Sequence, residues 1–86
     1  MNALKDMILT KVSGEYYAVP LRSAKLSFSG MIRMNKTGKR IFELLRDGLD
    51  EAAAAAQLQQ EFRVDEDTAR ENVHTLAQKL RDEGLL

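Results

Sequence analysis

Residues that perform catalysis or bind metals are scarce in this sequence of 86 residues. His74 is the only histidine, and Glu71 completes with it the Glu-x-x-His spacing of carboxylate-bridged di-iron centres. Such a centre needs a second pair of this kind and two further glutamates on other helices, but the chain has no second histidine. We therefore expect His74 to be a surface or groove residue, with no bound metal or other cofactor.

The sequence also lacks the residues and motifs that covalent catalysis and phosphate binding usually require. The sequence contains no cysteine, no glycine-rich phosphate loop and no serine in a strand-turn-helix elbow. We expect a protein without enzymatic activity of its own. Because the sequence also shows neither a secretory signal nor a membrane-spanning apolar segment, it predicts a cytoplasmic protein without membrane association.

The charged residues are balanced in number but not in position. Thirteen lysines and arginines match thirteen aspartates and glutamates, yet residues 1–49 carry nine basic and four acidic side chains, and residues 50–86 carry the reverse. Acidic caps on C-terminal helices would account for this asymmetry. The alternative is a positive face that attracts an acidic partner.

The elements that would position a binding site begin with β-strands. Residues 8–12 and 16–21 are rich in β-branched, aromatic and apolar side chains and are separated by a short segment with a glycine, which predicts a β-hairpin. Residues 31–34 predict a third strand. Between the second and third strands, Leu26 and Phe28 alternate within a serine-rich segment that could hold a further short strand.

Three helices follow, predicted at residues 36–47, 50–62 and 66–83, the first of them amphipathic and the second rich in small alanines. Asn35 and Asp50 are good N-caps for the first two, and glycines follow the first and third. We predict one α+β domain spanning the whole chain, with three N-terminal β-strands followed by a three-helix bundle. This is a winged helix-turn-helix-like arrangement.

The winged-helix arrangement makes DNA binding one hypothesis. A recognition helix presents basic or amide side chains to bases and phosphates, whereas the third helix here begins Asp65-Glu66-Asp67. Through Glu83 that helix carries six acidic and three basic residues. Nucleic acid is therefore not the favoured partner, although the basic first helix keeps a small DNA-binding regulator as the alternative function.

Several segments carry a resemblance to a known family: GMIRMNKTG at residues 30–38, IFELL at 41–45, DG at 47–48, FRVD at 62–65 and LRDEGLL at 80–86. Over about residues 8–86 the pattern resembles the PqqD-like family of small winged-helix peptide chaperones, also found as recognition domains fused to peptide-modifying enzymes. The segment at residues 22–30 differs from that of the members in the pyrroloquinoline quinone pathway.

The resemblance implies that the protein binds the leader segment of a ribosomally made precursor peptide. A separate enzyme, often a radical S-adenosylmethionine enzyme, would modify the core segment meanwhile. In the family, the leader pairs with the third strand by β-strand addition and packs against the third helix. The strand here is Met31, Ile32, Arg33 and Met34. The same exposed edge could instead pair with its own copy in a homodimer.

The third helix offers two shoulders beside a buried stripe centred near Val73 and Leu80. One shoulder holds Asn72, Lys79 and Glu83. The other, which we predict to line the groove together with Val73, holds Arg70, His74, Ala77 and Arg81. The basic side chains would meet acidic leader residues, and the alanine would leave room for an apolar one. Core packing is the alternative role for the two methionines of the third strand.

Overall fold

The computed structural model describes residues 2–21 and 30–86. The described elements are three strands and three α-helices: β1 Met7–Val12, β2 Glu15–Pro20, β3 Ile32–Met34, α1 Lys36–Arg46, α2 Glu51–Glu61 and α3 Glu66–Asp82. This order confirms the predicted α+β arrangement, and the boundaries of these six elements all lie within one residue of the predicted ones. The further strand suggested at Leu26 and Phe28 lies outside the described residues. No helix in the described part of the chain is long and apolar enough to cross a membrane.

The hairpin between β1 and β2 closes through a two-residue turn. Ser13 and Gly14 have φ angles of 52° and 84°, which is the pair of left-handed conformations that a type I′ turn requires. Val12 and Glu15 are the first pair of the ladder. The turn therefore fixes the register of the whole hairpin.

The strand order β1-β2-β3 places β3 at one edge of the antiparallel sheet. Ile32 and Met34 of β3 lie opposite Ala18 and Tyr16 of β2. Paired residues point to the same face of a sheet, and Ala18, Ile32 and Met34 are all buried. This inner face packs on α1. The opposite face carries the alternate residues of all three strands.

Each α-helix begins with an asparagine or aspartate side chain that accepts a hydrogen bond from a backbone N–H three residues later: Asn35 from Gly38 at 2.8 Å, Asp50 from Ala53 at 2.8 Å and Asp65 from Thr68 at 2.7 Å. The lack of a side chain at Gly38 also permits close packing, because a Cβ atom there would lie 3.2 Å from the Cβ of Met34. The end of β3 and the first turn of α1 can therefore approach each other closely.

The core includes two features that the sequence pattern did not predict. Phe42 is fully buried on α1, beyond the predicted apolar stripe. A short 3-10 helix, Ala3–Asp6, precedes β1 and buries Leu4 completely. Its first residue donates a backbone hydrogen bond to the carbonyl of Leu85 at 3.0 Å, which joins the two ends of the described chain.

Candidate peptide-binding cleft

The direction of the β3 amides follows from the hairpin register. Residues that flank a two-residue turn form a hydrogen-bonded pair, so Val12 and Glu15 bond to each other. The N–H of Leu21 donates to the carbonyl of Asp6 at 2.8 Å, six residues along each strand from the Val12–Glu15 pair, as an alternation of bonded pairs requires. Hydrogen-bonded and non-hydrogen-bonded pairs alternate along antiparallel strands. The odd-numbered residues of β2 therefore bond to β1, and the even-numbered ones bond to β3.

This alternation places two backbone amides on the open edge of the sheet. Ile32 and Met34 lie opposite even-numbered residues of β2, so their N–H and C=O groups point inward. The N–H and C=O groups of Met31 and Arg33 must then point away from the sheet. Sequence periodicity alone cannot decide between this pair and the pair Ile32 and Met34, whereas the register selects Met31 and Arg33.

The side chains of the predicted third strand alternate between buried and exposed, in step with the direction of its amides. Ile32 and Met34 are buried in the core, at 2% and 6% exposure. Met31 is 62% exposed, and Arg33 is also exposed. The two methionines therefore have different roles, since Met34 packs in the core and Met31 lies at the surface.

A cleft of about 320 Å³ opens between the edge of β3, the first turns of α1 and one side of α3. Arg33 and Met34 line its β3 side. The α3 residues that line it are Asn72, Thr75, Leu76 and Lys79. Within residues 2–21 and 30–86, Lys79 forms no ion pair. The cleft thus combines a polar strand edge, an apolar contact at Leu76 and an exposed cation.

The shoulder of α3 that the sequence favoured lies elsewhere, on the side that faces α2. Glu51 of α2 accepts hydrogen bonds there from His74 Nδ1 at 3.0 Å and from Arg81 Nη2 at 2.7 Å. Arg70 pairs with Glu66 within α3 at 2.7 Å. The prediction assumed that this shoulder and β3 line one cleft. The structure does not bring them together. Whether these residues bind peptide stays a prediction.

The two remaining residues of that prediction, Val73 and Ala77, are both fully buried. Helical periodicity identified the buried stripe at Val73 and Leu80, but Ala77, which it assigned to the favoured shoulder, also belongs to this stripe. It could not show which neighbour packs beside each shoulder. The small side chains of α2 allow that helix to lie against α3. Glu51 at the start of α2 contacts His74 and Arg81 of the favoured shoulder, and both side chains stay exposed.

Ion pairs between helices hold the scaffold behind the cleft. The hydrogen bond from Arg81, followed by that from His74, lowers the pKa of Glu51 despite partial desolvation. Arg40 of α1 donates two hydrogen bonds to Glu61 of α2, at 2.7 and 2.9 Å. These bonds, with one from Gln57, lower the pKa of Glu61 to about 2. The charged form of each glutamate is therefore the form that links the helices.

Two solved structures have a similar fold. One is described as TbiB1 in complex with the TbiA(beta) leader peptide. It is 19% identical, has a TM-score of 0.71, and the match covers 100% of this chain and 94% of that chain. The other is described as lasso peptide synthetase B1 complexed with the leader peptide. It is 21% identical, has a TM-score of 0.67, and the match covers 93% of this chain and 88% of that chain.

Comparison with curated protein sequences finds no match. The model of one protein family, coenzyme PQQ synthesis protein D (PqqD), matches residues 8–86. These limits agree with the extent of the resemblance found in the sequence. Because the family model matches more than half of the chain, the chain belongs to the PqqD family.

Proposed function

We propose that this protein binds the leader segment of a ribosomally synthesised precursor peptide by adding it as a strand to β3. It presents the precursor to a separate modifying enzyme and has no catalytic activity of its own. The observation that carries the proposal is the pair of outward amides, Met31 and Arg33, at the edge of the cleft. Membership of the PqqD family supports it, as do two similar folds whose descriptions name bound leader peptides.

Strand addition uses the main chain for affinity and alternate side chains for specificity. A leader strand beside β3 would form backbone hydrogen bonds with Met31 and Arg33. Side chains on one face of that strand would enter the cleft beside Leu76. Those on its other face would lie next to the exposed side chain of Met31. The protein can therefore select leader sequences by an alternating pattern of apolar residues.

The lining of the cleft supports a different side of α3 as the wall of the peptide-binding groove from the side that the sequence favoured. We place this wall on Asn72, Thr75, Leu76 and Lys79, because these residues line the same cleft as Arg33. The exposed side chain of Lys79 would attract acidic side chains of the leader. Such rim charges mainly speed association and fix the register of the bound peptide.

The start of α3 argues against the alternative function as a DNA-binding regulator. Asp65 caps the helix, and its pKa is lowered by the hydrogen bond from the backbone of Thr68. Glu66 and Asp67 follow in the first turn and are exposed. Three carboxylates at the N-terminus of the would-be recognition helix repel a phosphate backbone.

Residue-resolved amide hydrogen exchange tests the proposed function. The probe is a synthetic peptide with the leader sequence of a candidate precursor, chosen as a short reading frame near the gene for this protein. In the free protein, the amides of Ile32 and Met34 should exchange slowly and those of Met31 and Arg33 quickly. The peptide should slow exchange at Met31 and Arg33, since bound carbonyls protect amides from solvent.

A scrambled peptide of the same composition is the control and should leave all four rates unchanged. Slowed exchange without peptide at high protein concentration would instead indicate self-pairing of β3. If the leader binds but protects only amides on α3, strand addition to β3 is wrong.

A further inference from the structure

The sheet face turned away from the helices is unusually apolar. The large apolar side chains that the described chain leaves exposed are Ile8, Val12 and Met31, at 46%, 55% and 62%. By strand alternation all three point to this face. Antiparallel sheets commonly present polar side chains on an open face. Here the open face carries the largest exposed apolar groups of the described residues.

These residues form one continuous surface with a shallow hollow. We call the outer sheet face the surface made by Ile8, Thr10, Val12, Tyr17, Val19 and Met31. All of them except Ile8 line a hollow of about 280 Å³. On the same face, Arg33 and Glu15 pair with each other at 3.6 Å. The face is therefore apolar with no net charge, which suits an uncharged partner surface.

We propose that the outer sheet face is the docking surface for the modifying enzyme, which contacts it through an exposed apolar side chain or segment. The inference rests on the proposed function, because it places a second partner next to the bound leader. Apolar burial would supply the attraction, and the hollow would accept one inserted side chain.

The small area of the outer sheet face favours the modifying enzyme as its partner over a second copy of the chain. Three strands of up to six residues span roughly 300 Å², from the usual rise and spacing of β-strands. A symmetric dimer through this face would bury about twice that area, well below the roughly 1,200 Å² of a stable interface. An enzyme bound to the core segment of the same precursor needs a much smaller buried area. The shared peptide raises the effective concentration of the enzyme near this face.

The face also continues into the proposed leader strand. A strand added beside β3 widens the sheet, and its outward side chains extend the apolar surface next to Met31. The enzyme would then contact protein and leader together. Docking on this composite surface would favour the leader-loaded protein over the empty one.

The test uses the double variant Ile8→Thr with Val12→Thr, which keeps β-branched residues on β1 while removing apolar surface. Fluorescence anisotropy with labelled leader peptide should give a dissociation constant within about twofold of the original, because β1 lies two strands away from the β3 edge. The rate at which a modifying enzyme that acts on the same precursor modifies the full precursor, at limiting enzyme, should fall by about 5- to 20-fold.

Lys11→Thr is the matched control, since Lys11 lies on the same strand but points to the other face. Unchanged leader binding together with an unchanged modification rate in the double variant would overturn the docking proposal and leave the proposed function intact. A wild-type dimer in sedimentation that the double variant abolishes would assign the face to a second copy. Failure of the original protein to bind leader would refute the proposed function itself.

Discussion

Replacing Arg33 with proline removes one of the two amides on which strand addition depends. Arg33 points its N–H away from β2, so the ladder between β2 and β3 keeps its bonds through Ile32 and Met34. Proline is tolerated on edge strands where the missing N–H faces outward. We therefore expect the Arg33→Pro variant to fold and to melt within a few degrees of the original protein.

The expected loss of affinity follows from one unpaired leader carbonyl. Leaving a hydrogen-bonding group without its partner costs about 1–3 kcal/mol, which raises the dissociation constant by about 5- to 150-fold. Proline also deletes the arginine side chain, whose ion pair with Glu15 is long and exposed. Such a pair contributes less than about 1 kcal/mol. Arg33→Ala keeps the amide and is therefore the matched control.

Two measurements decide the outcome: anisotropy titration of labelled leader peptide, and thermal unfolding by circular dichroism. Arg33→Pro should bind much more weakly than Arg33→Ala, and both should remain folded. Ile32→Pro should unfold readily, because it breaks an inward ladder bond and removes a side chain that is 2% exposed. Equal affinities for the proline and alanine variants at position 33 would refute strand addition at this edge.

The remaining predictions concern charge. Lys79→Glu should weaken leader binding several-fold and reduce its dependence on salt, whereas Arg70→Glu on the opposite shoulder should change neither. The reverse result in salt-dependent calorimetry would restore the shoulder first predicted. Glu61 has its pKa lowered from 4.5 to about 2, so its stabilising link to Arg40 should be complete above about pH 4.5 and lost as the pH falls towards 2. Urea unfolding at several pH values should show a shallower decline in Glu61→Gln, and an identical decline would contradict this reasoning.

The fold was predictable from the sequence because its local signals agree with one another. The glycine turn between two β-branched segments specified the hairpin. Asn35, Asp50 and Asp65 stand where helices must begin, and each caps its helix in the structure. Local chemistry of this kind depends only on neighbouring residues, which a sequence displays directly.

The site was only partly predictable, because it depends on packing between distant segments. Periodicity separated Arg70 and His74 from Asn72 and Lys79 on α3, but both sets are equally exposed in an isolated helix. The approach of α2 decides between them, and no local pattern encodes that approach. The amide direction on β3 likewise required the register with β2. Leu4 was missed because a four-residue 3-10 helix offers too few residues to display periodicity.

The hydrogen bond between Ala3 and Leu85 makes the described chain nearly a closed ring. Chain ends that lie together can be linked and reopened elsewhere with little loss of structure. A circular permutant of these 86 residues could therefore join residues 1 and 86 by a short linker and open the chain at the exposed Ser13–Gly14 turn, which leaves the register of β1 with β2 to the ladder and the packed inner face. Such a permutant would keep β3 and α3 continuous, and β1 could then be exchanged or labelled as a terminal strand.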